Sequence, residues 1–293
     1  AKDFLLSVQD ANIKGIVPGD KNRRTGIRMN VGKEFMDRIK VGFNTNYIQS
    51  NYSVYNDQAM SDFFTSQGTG GNDGLMDLII NTAPHIPLTS YKDFNNSKYG
   101  QFNNYYNFYG YNPYWAVDNW RSEGKNESLL TSFDVNVKAT NWLSFTYRAA
   151  GTFNFNTTQN FSRGEQASAY QQSTGSSNSS VPDDVSEGSY RSSRLSSEFF
   201  ANFNKKFLNN DLGVNFIAGT YVRQTEVKDQ QSSISNLVVP DLYSISNKAG
   251  EVIGTASRSK SRLFSYYGSL NLNYKGWANL ELTGRSEQVS VLA

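Results

Sequence analysis

The sequence predicts an all-β chain, an antiparallel up-and-down sheet of about nine strands forming a sector of a transmembrane β-barrel. Three observations predict it. Apolar and polar residues alternate along each strand candidate, the alternating runs are long enough to cross a bilayer, and short connections alternate with long ones.

The alternation is clearest from Leu129 to Phe155. Leu129, Phe133, Val135 and Val137 fall on one parity, against Leu130, Ser132, Asp134, Asn136 and Lys138 on the other. After Ala139, Thr140 and Asn141, the set Leu143, Phe145, Tyr147, Ala149, Gly151, Phe153 and Phe155 opposes Ser144, Thr146, Arg148, Ala150, Thr152 and Asn154. Side chains in a strand point to opposite faces with period two, so each of these strands has one apolar and one polar face. A tilted strand needs roughly 9–11 residues to span a membrane, and both runs meet that length. Period and length together are the signature of an outer-membrane barrel wall.

Seven more segments complete the pass, giving nine strands with the two of the hairpin: residues 3–12, 25–33, 37–50, 128–138, 142–156, 189–207, 211–227, 259–275 and 277–287. Ile39, Val41, Phe43 and Tyr47 share a face in the third, as do Phe199, Ala201 and Phe203 in the sixth. Val214, Phe216, Ala218 and Val222 do so in the seventh, and Phe264, Tyr266, Leu270, Leu272 and Tyr274 in the eighth. Charged residues such as Lys40, Asp134, Lys138, Arg148, Arg194, Glu198 and Arg223 take the opposite parity. That placement is required if Lys or Arg facing lipid at mid-bilayer costs about 2–4 kcal/mol.

Short turns are expected near 33–36, 139–141, 208–210 and 276, and long loops near 13–24, 51–127, 157–188 and 228–258. In an up-and-down sheet successive connections lie at opposite ends, so all the short turns share one side, which in outer-membrane barrels is periplasmic. All six prolines fall in the long loops, where no ladder N–H is needed. Trp142 and Trp277 open strands at the short-turn end and are candidates for an aromatic membrane girdle.

Composition excludes several alternatives. No run approaches the 18 or more apolar residues of a membrane helix, although 18 Tyr and 19 Phe make the chain rich in aromatics. A negative mean hydropathy is compatible with a barrel, because half of each strand and all the loops meet water. Without cysteine there is no disulfide framework or thiolate metal site. A net charge of +2 with scattered basic residues argues against nucleic acid as a partner.

Gly15-Ile16-Val17-Pro18, Arg24, Arg28-Met29-Asn30 and Ile39-Lys40-Val41-Gly42 leading to Tyr47 stand in a familiar order. Asn112-Pro113-Tyr114-Trp115, Trp142-Leu143-Ser144, and Tyr267 to Lys275 followed by Leu282-Thr283-Gly284-Arg285 continue it. In the order and spacing of these residues the chain resembles the SusC/RagA family of TonB-dependent outer-membrane transporters. It departs from the family pattern after Arg285, in Ser286-Glu287-Gln288-Val289-Ser290. The resemblance implies a 22-stranded barrel of which residues 1–293 are a partial barrel domain, with the plug, the TonB box and the remaining strands outside it. It also implies a SusD-like lipoprotein lid, energy from the TonB complex, a wall embedded in outer-membrane lipid, and import of oligosaccharide or peptide nutrients. A structural scaffold that holds surface lipoproteins is the alternative, and a small closed barrel used as an adhesin is a further one. No catalytic role, cofactor or metal is expected.

The extracellular loop of residues 51–127 carries the richest patch: Tyr105, Tyr106, Phe108, Tyr109, Tyr111, Tyr114, Trp115 and Trp120, interleaved with asparagines. Aromatic faces stack on sugars or cover apolar peptide groups, and asparagine amides both donate and accept. Tyr109, Tyr111, Asn112, Tyr114 and Trp115 are therefore candidates for contact with substrate or lid. The competing reading, that these side chains form the loop's own core, takes precedence because ordered long loops pack on themselves first. Helical spacing over Asp57–Ser66 and Leu75–Asn81 predicts short surface helices. Asp57, Asp62, Asp73 and Asp77 lack the spacing of a calcium loop, and His85, the only histidine, has no second ligand or nucleophile partner in its motif.

Overall fold

Nine antiparallel strands, paired in sequence order, make one continuous sheet in the computed structural model. The structure describes residues 2–56, 75–80, 82–97, 105, 111–166, 173 and 181–292. The strands are β1 (Lys2–Lys14), β2 (Lys21–Phe35), β3 (Ile39–Tyr55), β4 (Trp120–Lys138), β5 (Leu143–Ser162), β6 (Asp184–Phe207), β7 (Leu212–Ser235), β8 (Ile253–Tyr274) and β9 (Ala278–Leu292). Among the described residues β1 and β9 are not paired with each other, so the sheet is an open sector of a barrel wall.

The short turns are tight for a local reason. Met36 and Asp37 both have φ of 50°, and Arg38 N–H closes the turn on Phe35 O at 3.1 Å. Lys275 (φ 52°) and Gly276 (φ 75°) form the equivalent pair between β8 and β9, closed by Trp277 N–H on Tyr274 O. Two consecutive left-handed residues twist with the strands they join, which is why such turns make hairpins.

Strand identity and the short-turn ends agree with the sequence reading within a few residues. The other ends do not. Every strand of the six from β3 to β8 runs further toward the long loops than expected, so the loop placed at residues 51–127 is instead 56–119. Likewise the loop expected at 13–24 is a compact turn of residues 15–20, since Lys14 pairs with Lys21. Beyond the membrane both faces of a strand meet water, and the hydrophobic alternation that marks a strand fades while the hydrogen-bond ladder continues.

Register places the apolar parities side by side. Phe43, Phe133 and Ala149 are consecutive neighbours, as are Phe203, Phe216, Leu270 and Leu282. This face leaves Phe4, Leu6, Val8, Phe199, Phe216, Tyr266, Leu280 and Leu282 exposed, the pattern of a wall that meets lipid. β9 keeps its register to Leu292, yet beyond Gly284 the outward positions are Ser286, Gln288 and Ser290 while Val289 and Val291 point the other way. No described helix is long and apolar enough to cross a membrane.

Candidate functional site: the loop-side rim and the polar wall

Most fully buried hydrophobic residues lie at the long-loop end, away from the sheet's middle. Tyr55, Leu75, Tyr111, Trp115, Ala116, Val117, Trp120 and Val181 form one cluster, with Val17, Leu78, Ile79 and Phe94 packed against it. The residues between β3 and β4 supply α1 (Leu75–Ile80), a 3-10 turn at Leu88–Tyr91 and α2 (Pro113–Asn119). α1 matches the expected helix; the one expected over Asp57–Ser66 lies outside the described residues, as do Asp57, Asp62 and Asp73.

α2 was not read from the sequence, although its signal is present. Asn112 is the N-cap, its Oδ1 accepting from Tyr114 N–H at 3.0 Å, and Pro113 occupies the first helical position. The Asn112 amide also donates to Tyr91 O at 2.7 Å, which ties the 3-10 turn to the helix. Trp115 and Tyr111 meet the Trp120 ring edge-on at 5.8 and 4.9 Å. Trp120 Nε1–H donates to Arg163 O at 3.0 Å, so the residues after β5 are drawn in as well.

Of the contact candidates, Tyr111 is 1%, Trp115 4% and Asn112 0% exposed, Tyr114 is half-buried, and Tyr109 lies outside the described residues. The three buried ones present their surfaces to the rim core. His85 is exposed, and among the described residues no cluster of His, Asp or Glu could hold a metal.

Arg121 is the rim residue the sequence reading missed, because a lone arginine at a strand end carries no periodic signal. Its guanidinium donates to Asp20 Oδ1 (3.0 Å), Gly19 O (3.0 Å), Val117 O (3.2 Å) and Ser53 Oγ (3.2 Å). Asp20 also accepts from Tyr55 N–H at 2.7 Å. One side chain thus joins the 15–20 turn, β3, β4 and α2. Gly19, with φ of 82°, lets the turn pass beside the guanidinium.

A second tie sits further along the rim. Tyr243 stacks on Phe161 at 4.3 Å, its carbonyl accepts from Gln159 at 3.1 Å, and Asp241 pairs with Arg163 at 3.4 Å. Burial, with Asp241 beside it, raises the Tyr243 phenol's pKa. Glu165, bridged to Val181 through both backbone groups, has its carboxyl pushed up by burial against the pull of Arg163.

The polar face of the sheet carries a charged row in register: Asp134 faces Arg148, which faces Glu198. Arg148 lies 3.5 Å from Glu198, and Glu198 accepts from Tyr267 O–H at 2.7 Å. Arg285, paired with Glu287, stands over the Tyr221 ring at 5.9 Å. The sequence assignment of Lys40, Asp134, Lys138, Arg148, Arg194, Glu198 and Arg223 to this face agrees with the register. Such a face suits a water-filled or plugged lumen, where charge is tolerated.

At the short-turn end Trp142 packs edge-on to Phe203 at 5.3 Å with Lys205 over its ring, and Trp277 is 77% exposed beside Tyr274. The two remaining tryptophans are thus the two in the rim core at the opposite end.

Solved structures match this fold over nearly the whole chain. The RagAB peptide transporter aligns with a TM-score of 0.67 at 11% identity, over 98% of this chain and 30% of that one. The chain shares the fold of a barrel-wall sector of that transporter. The RagAB peptide importer in its open-open state gives 0.66 at 12% identity, over 99% and 30%. The ferripyoverdine receptor of the outer membrane of Pseudomonas aeruginosa gives 0.55 at 10%, over 99% and 33%. The chain spans about a third of the length of these structures. No family model and no curated protein sequence matches it.

Proposed function

We propose that this chain is the wall and part of the extracellular mouth of a TonB-dependent outer-membrane importer of oligosaccharide or peptide nutrients. A SusD-like surface lipoprotein serves as its lid, and the TonB complex acts through parts of the protein outside this segment. The observation that carries the reading is the nine-strand sheet itself. It has an apolar outward face, a paired charged row on the other face and an ordered rim at the long-loop end, and its fold fits the RagAB peptide transporter along nearly its full length. Binding of a soluble nutrient needs a rim that holds its shape, and the Trp115–Trp120 core with the Arg121 tie supplies one. Tyr114, at the edge of that core, is the candidate for direct contact, while Tyr111, Asn112 and Trp115 hold the loop.

The test is uptake by cells expressing the full-length gene, offered labelled peptide and oligosaccharide mixtures, with and without a functional TonB complex. Uptake of one class that needs both the gene and TonB supports the reading. Surface assembly of a lipoprotein with no TonB-dependent uptake overturns it in favour of a scaffold.

A further inference from the structure

The outward face changes character abruptly along β4 to β8. On β8 the outward positions run Tyr274, Leu272, Leu270, Gly268, Tyr266 and Phe264, then Arg262, Lys260 and Arg258. On β7 they run from Leu212 to Val222, then Gln224, Glu226 and Lys228. β6 passes from Leu195 through Ser193 to Arg191, and β4 from Leu129 to Glu127 and Lys125. Each apolar stretch from the short-turn end covers about the 9–11 residues that cross a bilayer. The charged positions therefore begin where the hydrocarbon ends, on the long-loop side. From β8 to β4 the boundary also shifts along the register rows, as strands inclined to the membrane normal require.

The charges do not cancel. Glu226 holds Arg258 at 2.9 Å and Lys228 at 3.6 Å, and Glu127 holds Lys125 at 3.0 Å and accepts from Tyr47 O–H at 2.6 Å. Among the described residues Arg191, Lys260 and Arg262 make no ion pair; Arg191 lies over the Phe155 ring at 4.7 Å, and Arg262 Nε donates to Gln224 at 3.0 Å. Four basic residues of this patch, Arg191, Lys228, Arg258 and Lys260, surround one carboxylate, Glu226, or neighbour it in register. Below them a shallow groove is floored by Leu129, Phe153 and Phe155 and flanked by Arg191, Glu226 and Lys228. A groove with an apolar floor at hydrocarbon depth and surplus cations at headgroup depth fits one class of ligand, an acyl chain carrying phosphate.

We propose that the outward face of β4–β8 binds the phosphorylated headgroup of an outer-leaflet lipid, with Arg191, Lys260 and Arg262 as the phosphate contacts and Phe153 and Phe155 beneath the acyl chain. Arginine forks match phosphate oxygens, and the position on the outer wall admits lipid laterally within the bilayer. The inference does not depend on what the barrel imports.

The experiment uses the full-length protein purified in detergent, with native mass spectrometry counting retained lipid. Probes are phosphatidic acid, phosphatidylcholine of the same chains, and inorganic phosphate as a free competitor. Wild type is expected to prefer phosphatidic acid, and each basic residue changed to Gln is expected to weaken it about fivefold. The Arg191→Gln/Lys260→Gln/Arg262→Gln variant should thus lose on the order of a hundredfold. Arg194→Gln/Arg223→Gln, which removes the same kind of charge from the polar face, should leave it unchanged. Equal retention of phosphatidylcholine, equal loss in the polar-face variant, or displacement by inorganic phosphate alone overturns the proposal. If the triple variant fails to assemble, the single Arg262→Gln variant, exposed on the strand surface, carries the same comparison.

Discussion

Arg121 Nη1 lies 3.0 Å from Asp20 Oδ1, joining residues 101 positions apart across the ends of three strands. Both side chains are largely shielded, the arginine 9% and the aspartate 17% exposed. A shielded charge is tolerated only with its hydrogen bonds complete, and this one is met by a carboxylate, two carbonyls and a hydroxyl. The rim is therefore held by one polar node as well as by its aromatic core.

Removing one member of such a pair strands the other. Arg121→Ala is expected to cost about 3–5 kcal/mol in local stability. Hydrogen exchange should quicken at the 15–20 turn and at Tyr55 N–H, which shares Asp20, and exchange unchanged at both would refute the node.

Trp120 has no exposed surface and touches both Tyr111 and Trp115. Trp120→Ala should cost about 3–5 kcal/mol, the range for a large buried aromatic. Limited proteolysis would report it as cleavage within residues 56–119 while β5 to β8 stay intact.

Ser269 and Leu270 are chain neighbours on opposite faces of β8, Leu270 lying between Phe216 and Leu282 in register. Leu270→Arg is expected to cost about 2–4 kcal/mol in a bilayer and Ser269→Arg far less. Urea unfolding of the full-length protein in lipid vesicles separates the two, and equal costs would mean that the faces are assigned wrongly.

The Met36-Asp37 turn places two L-residues without glycine in the left-handed region. Replacing them with Asn-Gly should raise stability by about 1–2 kcal/mol, since each left-handed non-glycine residue costs roughly that much. A lower denaturation midpoint would show that these side chains do something the backbone does not explain.

Glu165 carries the clearest pH dependence outside the strands. Its carboxyl is raised from an ordinary value of 4.5, chiefly by burial, so the folded loop prefers the protonated acid. Its contribution is fully present below that ordinary value and is lost as pH rises through the raised one. Glu165→Gln should therefore match wild type in acid and hold the Glu165–Val181 bridge more firmly at neutral pH. Exchange rates at Val181 N–H across that range are the measurement, and parallel profiles would count against it.

Period-two alternation by itself determined that this chain is a sheet of nine strands with one face for lipid and one for water, because a single strand already separates its two faces. It also determined which end holds the loops, since connection length is a local property of the chain. Lys40, Arg148 and Glu198 were placed on the correct face by parity alone. Three things waited for the tertiary structure. The strands' outer extensions were invisible because a ladder in water needs no hydrophobic pattern. The partners that bury Tyr111, Asn112 and Trp115, from α1, β3 and the β5–β6 connection, are brought together by no local pattern, although a core within the loop was the favoured expectation. Arg121 acquires its role only when Gly19, Asp20, Ser53 and Val117 converge on it, and convergence of distant residues is what folding adds to sequence.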